Sequence, residues 1–273
     1  MMNEKIEEMI SINKRQKEYY EEANGAEVSK KNGKLTNLWR LVRKRALNVV
    51  PEDSKDQIYA LHREWMSDLS NKTVLELGVG NGSPHSKTLA EESKEYYAID
   101  LSRSRLDALS VELQNVDKTN FIEGDFLKED FSGKKFDIIY ALAVFHHFEY
   151  FETFLDTVID KLAPGGIVIT YDPAETWLPG RLLRKLYRPF QTDKDWEWPF
   201  NNKSFKLLDK KFLISDCVGI YGKSKYASIL GVISPKIGRT FGAKWFHNDM
   251  KNKRSFNKLK SCLQVSLCLK KKD

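Results

Sequence analysis

Thr73 to Gly82 reads Thr-Val-Leu-Glu-Leu-Gly-Val-Gly-Asn-Gly, and this stretch constrains the fold more than any other part of the chain. Val74, Leu75 and Leu77 form a short apolar run broken by one charge, Glu76, as in a strand buried on both faces. Gly78, Gly80 and Gly82 then come at alternate positions and Ser83-Pro84 follows. Ser83 suits a helix N-cap and Pro84 the first helical position, so the stretch predicts a strand, a tight turn and a helix. Glycines let such a turn take positive φ and let a ligand approach the backbone closely. In a doubly wound α/β sheet the turn stands at the carboxyl end of a strand, where ligands bind.

The rest of the first two thirds repeats the alternation of strand and helix. Tyr96 to Ile99 reads as a second strand ending in Asp100. A carboxylate there is placed to accept hydrogen bonds from ribose hydroxyls, with capping of the next helix, Ser102 to Leu113, as its other role. A third strand, Asn120 to Glu123, leads into Gly124-Asp125-Phe126, although Gly-Asp is also a common turn dipeptide. Phe136 to Ala141 is a fourth strand that runs on as Leu142-Ala143-Val144-Phe145-His146-His147-Phe148. A helix from Tyr150 to Leu162 ends before Pro164, and Gly165-Gly166 turn the chain into a fifth strand, Ile167 to Tyr171. The dinucleotide fingerprint is not met, because Ser83 stands where its third glycine belongs.

With four motifs in this order, each after a predicted strand, the chain resembles the class I S-adenosylmethionine-dependent methyltransferases over about residues 70–175. The resemblance implies an α/β fold, a doubly wound seven-stranded sheet with the last strand antiparallel. It implies a division into an N-terminal helical cap (1–70), an S-adenosylmethionine-binding core (71–175), a lid insertion after the fifth strand (176–212) and C-terminal strands that complete the sheet (213–273). The cofactor contacts it implies come from Glu76, Gly78, Gly80, Asp100, Leu101, Asp125, Phe126, Ala141 and Leu142. Asp125 would face the adenine amino group, Phe126 would pack beside the ring, and Ala141 and Leu142 would line the methionine end. Tyr20, with Tyr19, would close over the cofactor from the cap. His146 or His147 would stand near the transferring methyl group as candidate catalytic residues, in positioning or in proton transfer. The His-His-apolar step most resembles the small-molecule branch that includes quinone-biosynthesis enzymes. Ala-Leu-Ala-Val stands where nucleic-acid amino-methyltransferases carry Asn/Asp-Pro-Pro-aromatic, which argues against an exocyclic base amine as acceptor.

The remaining segments refine this expectation. Leu182, Leu183, Leu186 and Tyr187 interleave with Arg181, Arg184, Lys185 and Arg188, and Trp196-Glu197-Trp198-Pro199-Phe200 follows. This predicts a basic amphipathic helix and an aromatic lid suited to an acidic, aromatic or lipid-linked substrate; contact with an anionic membrane surface or simple packing are the alternatives. Further on, Ile214 to Tyr221 reads as a sixth strand. Tyr226 to Ile233 is ambiguous, and Leu263 to Leu269 alternates as a last strand. The net charge of +7 permits RNA, protein or lipid contact without choosing among them. Three cysteines without a C-x-x-C pair, and a start with no apolar region behind it, predict a reduced cytoplasmic protein without a signal peptide. No histidine or cysteine spacing resembles a zinc site. The favoured reading is a methyltransferase acting on a small-molecule or lipid-linked acceptor, with no nucleic acid and no obligate protein partner. A transferase acting on RNA or protein, and a cofactor-binding module without transfer, are the other two.

Overall fold

The computed structural model describes residues 2–22, 41–42, 44–46, 48–190, 194–251 and 256–272. Val74 and Leu75 are fully buried on the central strand β1 (Thr73–Leu77) of a seven-stranded sheet. The other strands are β2 (Glu95–Asp100), β3 (Thr119–Glu123), β4 (Phe136–Leu142), β5 (Leu162–Pro173), β6 (Phe212–Ile220) and β7 (Gln264–Lys271). Their spatial order is β3-β2-β1-β4-β5-β7-β6. Strands β1 to β5 are mutually parallel, and β7 runs antiparallel to both β5 and β6. This is the sheet that the sequence leads one to expect. The strand order reverses between β1 and β4, which opens a crevice at their carboxyl ends.

The two-residue period of the strands sorts their side chains into two apolar layers. Val74, Tyr96, Ala98, Ile138 and Tyr140 face one side with Met66, Leu89, Leu106 and Leu109. The helices there are α2 (Ser54–Met66), α3 (Ser86–Glu92) and α4 (Arg103–Glu112). Leu75, Leu77, Tyr97, Ile99 and Ile139 face the other side, against Phe154, Leu155, Val158, Phe205 and Leu208. Those residues lie on α5 (Phe151–Lys161) and on a helix at Asn202–Lys211. The first helix, α1 (Met2–Glu22), adds Met9 to this second layer. After β5 come α6 (Leu178–Tyr187) and the Asn202–Lys211 helix, α7; α8 (Ala227–Ile233), α9 (Pro235–Lys251) and α10 (Phe256–Leu259) precede β7. Cys217, Cys262 and Cys268 are buried and form no disulfide, and burial pushes the Cys262 thiol up to about 12, so they serve as small apolar fillers.

Several boundaries differ from expectation. The helix after the glycine turn starts at Ser86 and not at Pro84, because Ser83 uses its hydroxyl to hold the His85 amide within the turn. Helix α2 is part of a sheet layer and not of a cap: Ile58 and Leu61 pack on Val218, Ile220 and Phe246. Helix α7 belongs to the opposite layer and Phe200 before it packs in the same cluster, so 176–212 is in part core and not one separate insertion. Tyr226 to Ile233, ambiguous in sequence, is helical from Ala227. Asn24-Gly25 and Asn32-Gly33, which read as turns in the sequence, and Leu38, Arg40, Arg43 and Leu47, which fall at the spacing of a helix with a basic face, lie outside the described residues.

His62 joins α2 to the sheet through a hydrogen-bond chain. Ser266 Oγ donates to the Thr170 carbonyl at 2.9 Å, so it accepts from His62 Nε2 at 2.6 Å. His62 Nδ1 is then the lone-pair nitrogen that accepts the Tyr140 hydroxyl at 2.9 Å. This arrangement needs a neutral ring. Burial, and to a lesser degree nearby His85, lower the His62 pKa to about 3. The unfolded chain binds this proton below its ordinary pKa of about 6.5 and the folded chain does not, so folding weakens as pH falls through that window. His62 is expected to remove about 2 kcal/mol of stability between pH 7 and pH 5. Urea unfolding at the two pH values, with His62→Gln showing a smaller pH difference, checks this.

Candidate active site

The glycine turn is built on a buried carboxylate. Glu76 is 2% exposed on the α3 side of β1. Its Oε2 accepts the Tyr96 hydroxyl at 2.6 Å and its Oε1 accepts the Ser86 hydroxyl at 3.0 Å. These bonds tie β1 to β2 and to the first turn of α3, and burial pushes the Glu76 pKa upward against them. Above this anchor Gly78 and Gly80 take positive φ (63° and 57°), and the Gly78 amide donates to the Ile99 carbonyl at 2.9 Å. A Cβ on Gly78 would lie 2.6 Å from a Val144 methyl, so the segments that follow β1 and β4 approach here as only glycine allows.

A cavity of about 270 Å³ opens over the carboxyl ends of β1, β2, β3 and β4. Gly78, Asp100, Leu101, Asp125, Phe126 and Leu142, expected from the resemblance as cofactor contacts, line this cavity, and so do Tyr20 and His147. Asp100 is held rigidly: Oδ2 accepts the Gly80 amide at 2.8 Å and Oδ1 the Ser102 amide at 2.9 Å. Each oxygen keeps a second lone pair for a ligand hydroxyl. Asp125 accepts from the Leu127 amide and the Asn13 side chain, at 2.9 and 3.0 Å, and burial raises its pKa. Glu76, Gly80 and Ala141 do not line the cavity. Glu76 braces the turn from beneath, Gly80 holds Asp100, and Ala141 is packed in the core.

One wall comes from α1, through Asn13, Gln16, Lys17 and Tyr20. Lys17 pairs with Glu123 at 2.5 Å, and the Arg105 guanidinium lies 4.4 Å from the Tyr20 ring centroid. Tyr19 lies outside the cavity, between Tyr20 (5.5 Å) and Trp196 (4.9 Å). Asn13, Gln16 and Lys17 were missed in sequence. Their helical spacing with Tyr20 could have been read, but nothing local says that this face covers a crevice from a helix far along the chain.

The two histidines separate. His147 lines the cavity, and its Nδ1 lies 2.6 Å from the Trp196 carbonyl. A carbonyl only accepts, so Nδ1 carries the proton and Nε2 is the lone-pair nitrogen of the neutral ring. His146 stands behind it, buried, with ring centroids 4.1 Å apart. Its Nδ1 donates to Asp172 Oδ1 at 2.8 Å, while Thr170 donates to the other carboxylate oxygen. Asp172, at the end of β5, has no motif around it and was not anticipated. Ala143, just past β4 on the cavity wall, holds a φ of 57° without being glycine, a strain of the kind that collects at functional sites. The expected lid does not reach in. None of its described residues lines the cavity, and Trp196 and Phe200 are buried as packing anchors. Among the described residues no cluster of metal-ligating side chains occurs.

A doubly wound sheet with this strand order and this cleft defines a methyltransferase-type fold. The chain belongs to the methyltransferase-domain family, whose model matches residues 54–215. It is 26% identical over 186 residues to phthiotriol/phenolphthiotriol dimycocerosates methyltransferase 1 of Mycobacterium ulcerans (strain Agy99), covering 67% of this chain and 62% of that protein. It is 27% identical over 162 residues to a ubiquinone biosynthesis O-methyltransferase of Rickettsia bellii (strain OSU 85-389), covering 59% of this chain and 62% of that protein. The chain thus spans about three fifths of the length of these two relatives. In fold it is similar to the N-methyltransferase NodS from Bradyrhizobium japonicum WM9 in complex with S-adenosyl-L-homocysteine, at a TM-score of 0.53 and 14% identity, covering 86% of this chain and 98% of that one.

S-adenosyl-L-methionine fits the residues present. The Gly78 turn admits close backbone approach, Asp100 and Asp125 offer acceptors at the ends of β2 and β3, and Ile99, Phe126, Leu142 and Phe148 give an apolar wall. Gly78→Ala is expected to destabilise the fold by about 2 kcal/mol, from positive φ and the clash with Val144; urea unfolding measures it. Asp100→Asn is expected to weaken S-adenosylhomocysteine binding about tenfold or more, read by titration calorimetry.

Proposed function

We propose that this protein transfers the methyl group of S-adenosyl-L-methionine to a small-molecule or lipid-linked acceptor. The observation that carries this reading is one cleft that brings together Asp100 and Asp125, from the ends of β2 and β3, and His147 from just past β4. The relatives support the acceptor class: one is named for phthiotriol and phenolphthiotriol dimycocerosates, one for ubiquinone biosynthesis, and a further one for sterol 24-C-methylation. The cofactor supplies an already activated methyl group on a sulfonium, so the chain's own work is alignment and the exclusion of water.

Each part of the cleft then has a task. Asp100 and Asp125 hold the nucleoside part by hydrogen bonds, with Phe126 beside the base. Tyr20, braced by Arg105, covers the cleft with the rest of the α1 wall. His147 presents Nε2 toward the acceptor. Where the acceptor is a hydroxyl, that nitrogen takes its proton; where it is a carbon or an amine lone pair, the ring only positions it. Asp172 fixes the His146 ring, and His146 in turn backs the His147 ring.

The test uses the purified full chain, methyl-labelled S-adenosylmethionine and host extract, followed into organic, small-molecule, RNA and protein fractions, with Asp100→Ala as control. Label in the organic or small-molecule fraction, lost in the control, is the expected result. Label in RNA or protein, or cofactor binding with no transfer, overturns the reading. With an acceptor in hand, His147→Ala is expected to lower kcat about a hundredfold while leaving the KM for the cofactor near its original value. Tyr20→Ala is expected to weaken cofactor binding about fivefold; unchanged affinity and turnover would show that α1 plays no part.

A further inference from the structure

Helix α6 is amphipathic in the inverted sense. Its half-buried positions are Gly180 and Arg184, and Arg184 is fixed there by Glu197 at 2.5 Å. Gly180 lies close enough that a Cβ would sit 2.8 Å from the Trp177 ring. The leucines point the other way. Leu178, Leu182, Leu183 and Leu186 are all at least half exposed, and Leu186 is 75% exposed. At helical spacing Leu178, Leu182 and Leu186 form one stripe, with Leu183 at its edge and Arg181 and Lys185 flanking the other side. A helix on the surface of a soluble domain ordinarily turns such a stripe to the core; here it is presented outward.

The α8–α9 hairpin repeats the pattern. Its inner face is glycine: a Cβ on Gly238 would lie 2.4 Å from Gly231 Cα, and one on Gly242 would lie 1.9 Å from the Val49 carbonyl oxygen. Contact this close leaves the branched side chains outside. Ile229, Val232, Ile233, Ile237 and Phe241 are exposed, Ile233 at 80%. Lys236, Arg239 and Lys244 stand exposed among them on α9. Neither α6 nor α8 contains an acidic residue, and the one acid of α9, Asp249, is buried under the amides of Gly222, Lys223 and Ser224. The two elements start side by side. The Trp177 and Tyr226 rings, just before α6 and α8, meet edge to face at 5.9 Å, with the Lys225 ammonium about 5 Å from each centroid.

We propose that α6 and the α8–α9 hairpin form a docking surface for an anionic lipid bilayer, with the leucine and isoleucine stripes in the headgroup layer and the flanking cations on the lipid phosphates. The charge decides the occupant. Exposed apolar side chains beside Lys and Arg, with no exposed carboxylate on the three helices themselves, match a surface that is apolar in its interior and anionic at its rim. No helix among the described residues is long and apolar enough to cross a membrane, so the contact lies in the plane of the interface. Each cation near such a surface adds about fivefold to partitioning, and salt removes that gain. The surface does not depend on the acceptor assigned above, since lipid binding is read without any methyl transfer.

The test is co-sedimentation of the full chain with vesicles of phosphatidylcholine alone and of phosphatidylcholine with one third phosphatidylglycerol, at low and high salt. Expected is binding to the anionic vesicles that falls at least tenfold in high salt. Leu182→Gln/Leu186→Gln and Ile233→Gln/Phe241→Gln should each weaken it about tenfold, and Arg181→Glu/Lys185→Glu should do likewise. Thermal melts and S-adenosylhomocysteine binding close to those of the parent show that the variants are folded. Absence of vesicle binding, equal binding to neutral and anionic vesicles, or variants that bind like the parent overturns the proposal. Sedimentation velocity gives the remaining outcome: a dimer dispersed by the leucine or isoleucine variants, without lipid binding, assigns the faces to a second copy of this chain and also overturns it.

Discussion

A single buried carboxylate sets the geometry on which the cleft depends. Glu76 sits in the α2–α4 layer with both oxygens engaged, one by Tyr96 of β2 and one by Ser86 of α3. An unpartnered charge there would cost several kcal/mol, so the two hydroxyls are as necessary as the acid. Together they fix the distance between the end of β1, the end of β2 and the start of α3. The turn suspended between them, from Gly78 to Gly82, has little freedom left. Its amides are spent on Ile99 and Asp100, and the Asp100 carboxylate faces the cavity already oriented. Preorganisation of this kind costs stability through Glu76 and returns it as a ligand site that needs no rearrangement.

Much of the fold was legible because it rests on local rules. The two-residue alternation in Tyr96-Tyr97-Ala98-Ile99 assigns Tyr96 and Ala98 to one layer and Tyr97 and Ile99 to the other, as found. The place of Asp100 and Asp125 on the cavity was readable because one ends β2 and the other follows β3 by two residues, and in a parallel sheet the carboxyl ends of the strands share one edge. The role of Glu76 was not readable. The motif says that an acid precedes the glycines; only the tertiary contacts with Tyr96 and Ser86 show that it faces away from the cleft.

What the sequence hid depends on contacts between distant segments. His146 and His147 are neighbours in the chain with nothing to rank them, and the structure separates them by one peptide. His147 reaches the cavity while His146 turns back to Asp172 on another strand. The aromatic run at Trp196–Phe200 suggested substrate contact by composition. In the fold Phe200 meets Phe151 at a tilt and Phe205 edge to face, and Trp196 supplies a carbonyl to His147 and a ring to Tyr19. The cap was drawn as one block because its charge and helical character are uniform up to residue 70. Burial splits it, with α2 packed on the sheet and α1 on the cleft.

The α1 wall is held at two depths. The helix meets the cleft through a few polar contacts, chiefly Asn13 on Asp125 and the part-exposed Lys17–Glu123 pair, and ion pairs as exposed as the latter add little to stability. Beneath these contacts Met9 anchors the helix in the second apolar layer, so the polar face that lines the cleft is carried on a helix already packed against the sheet.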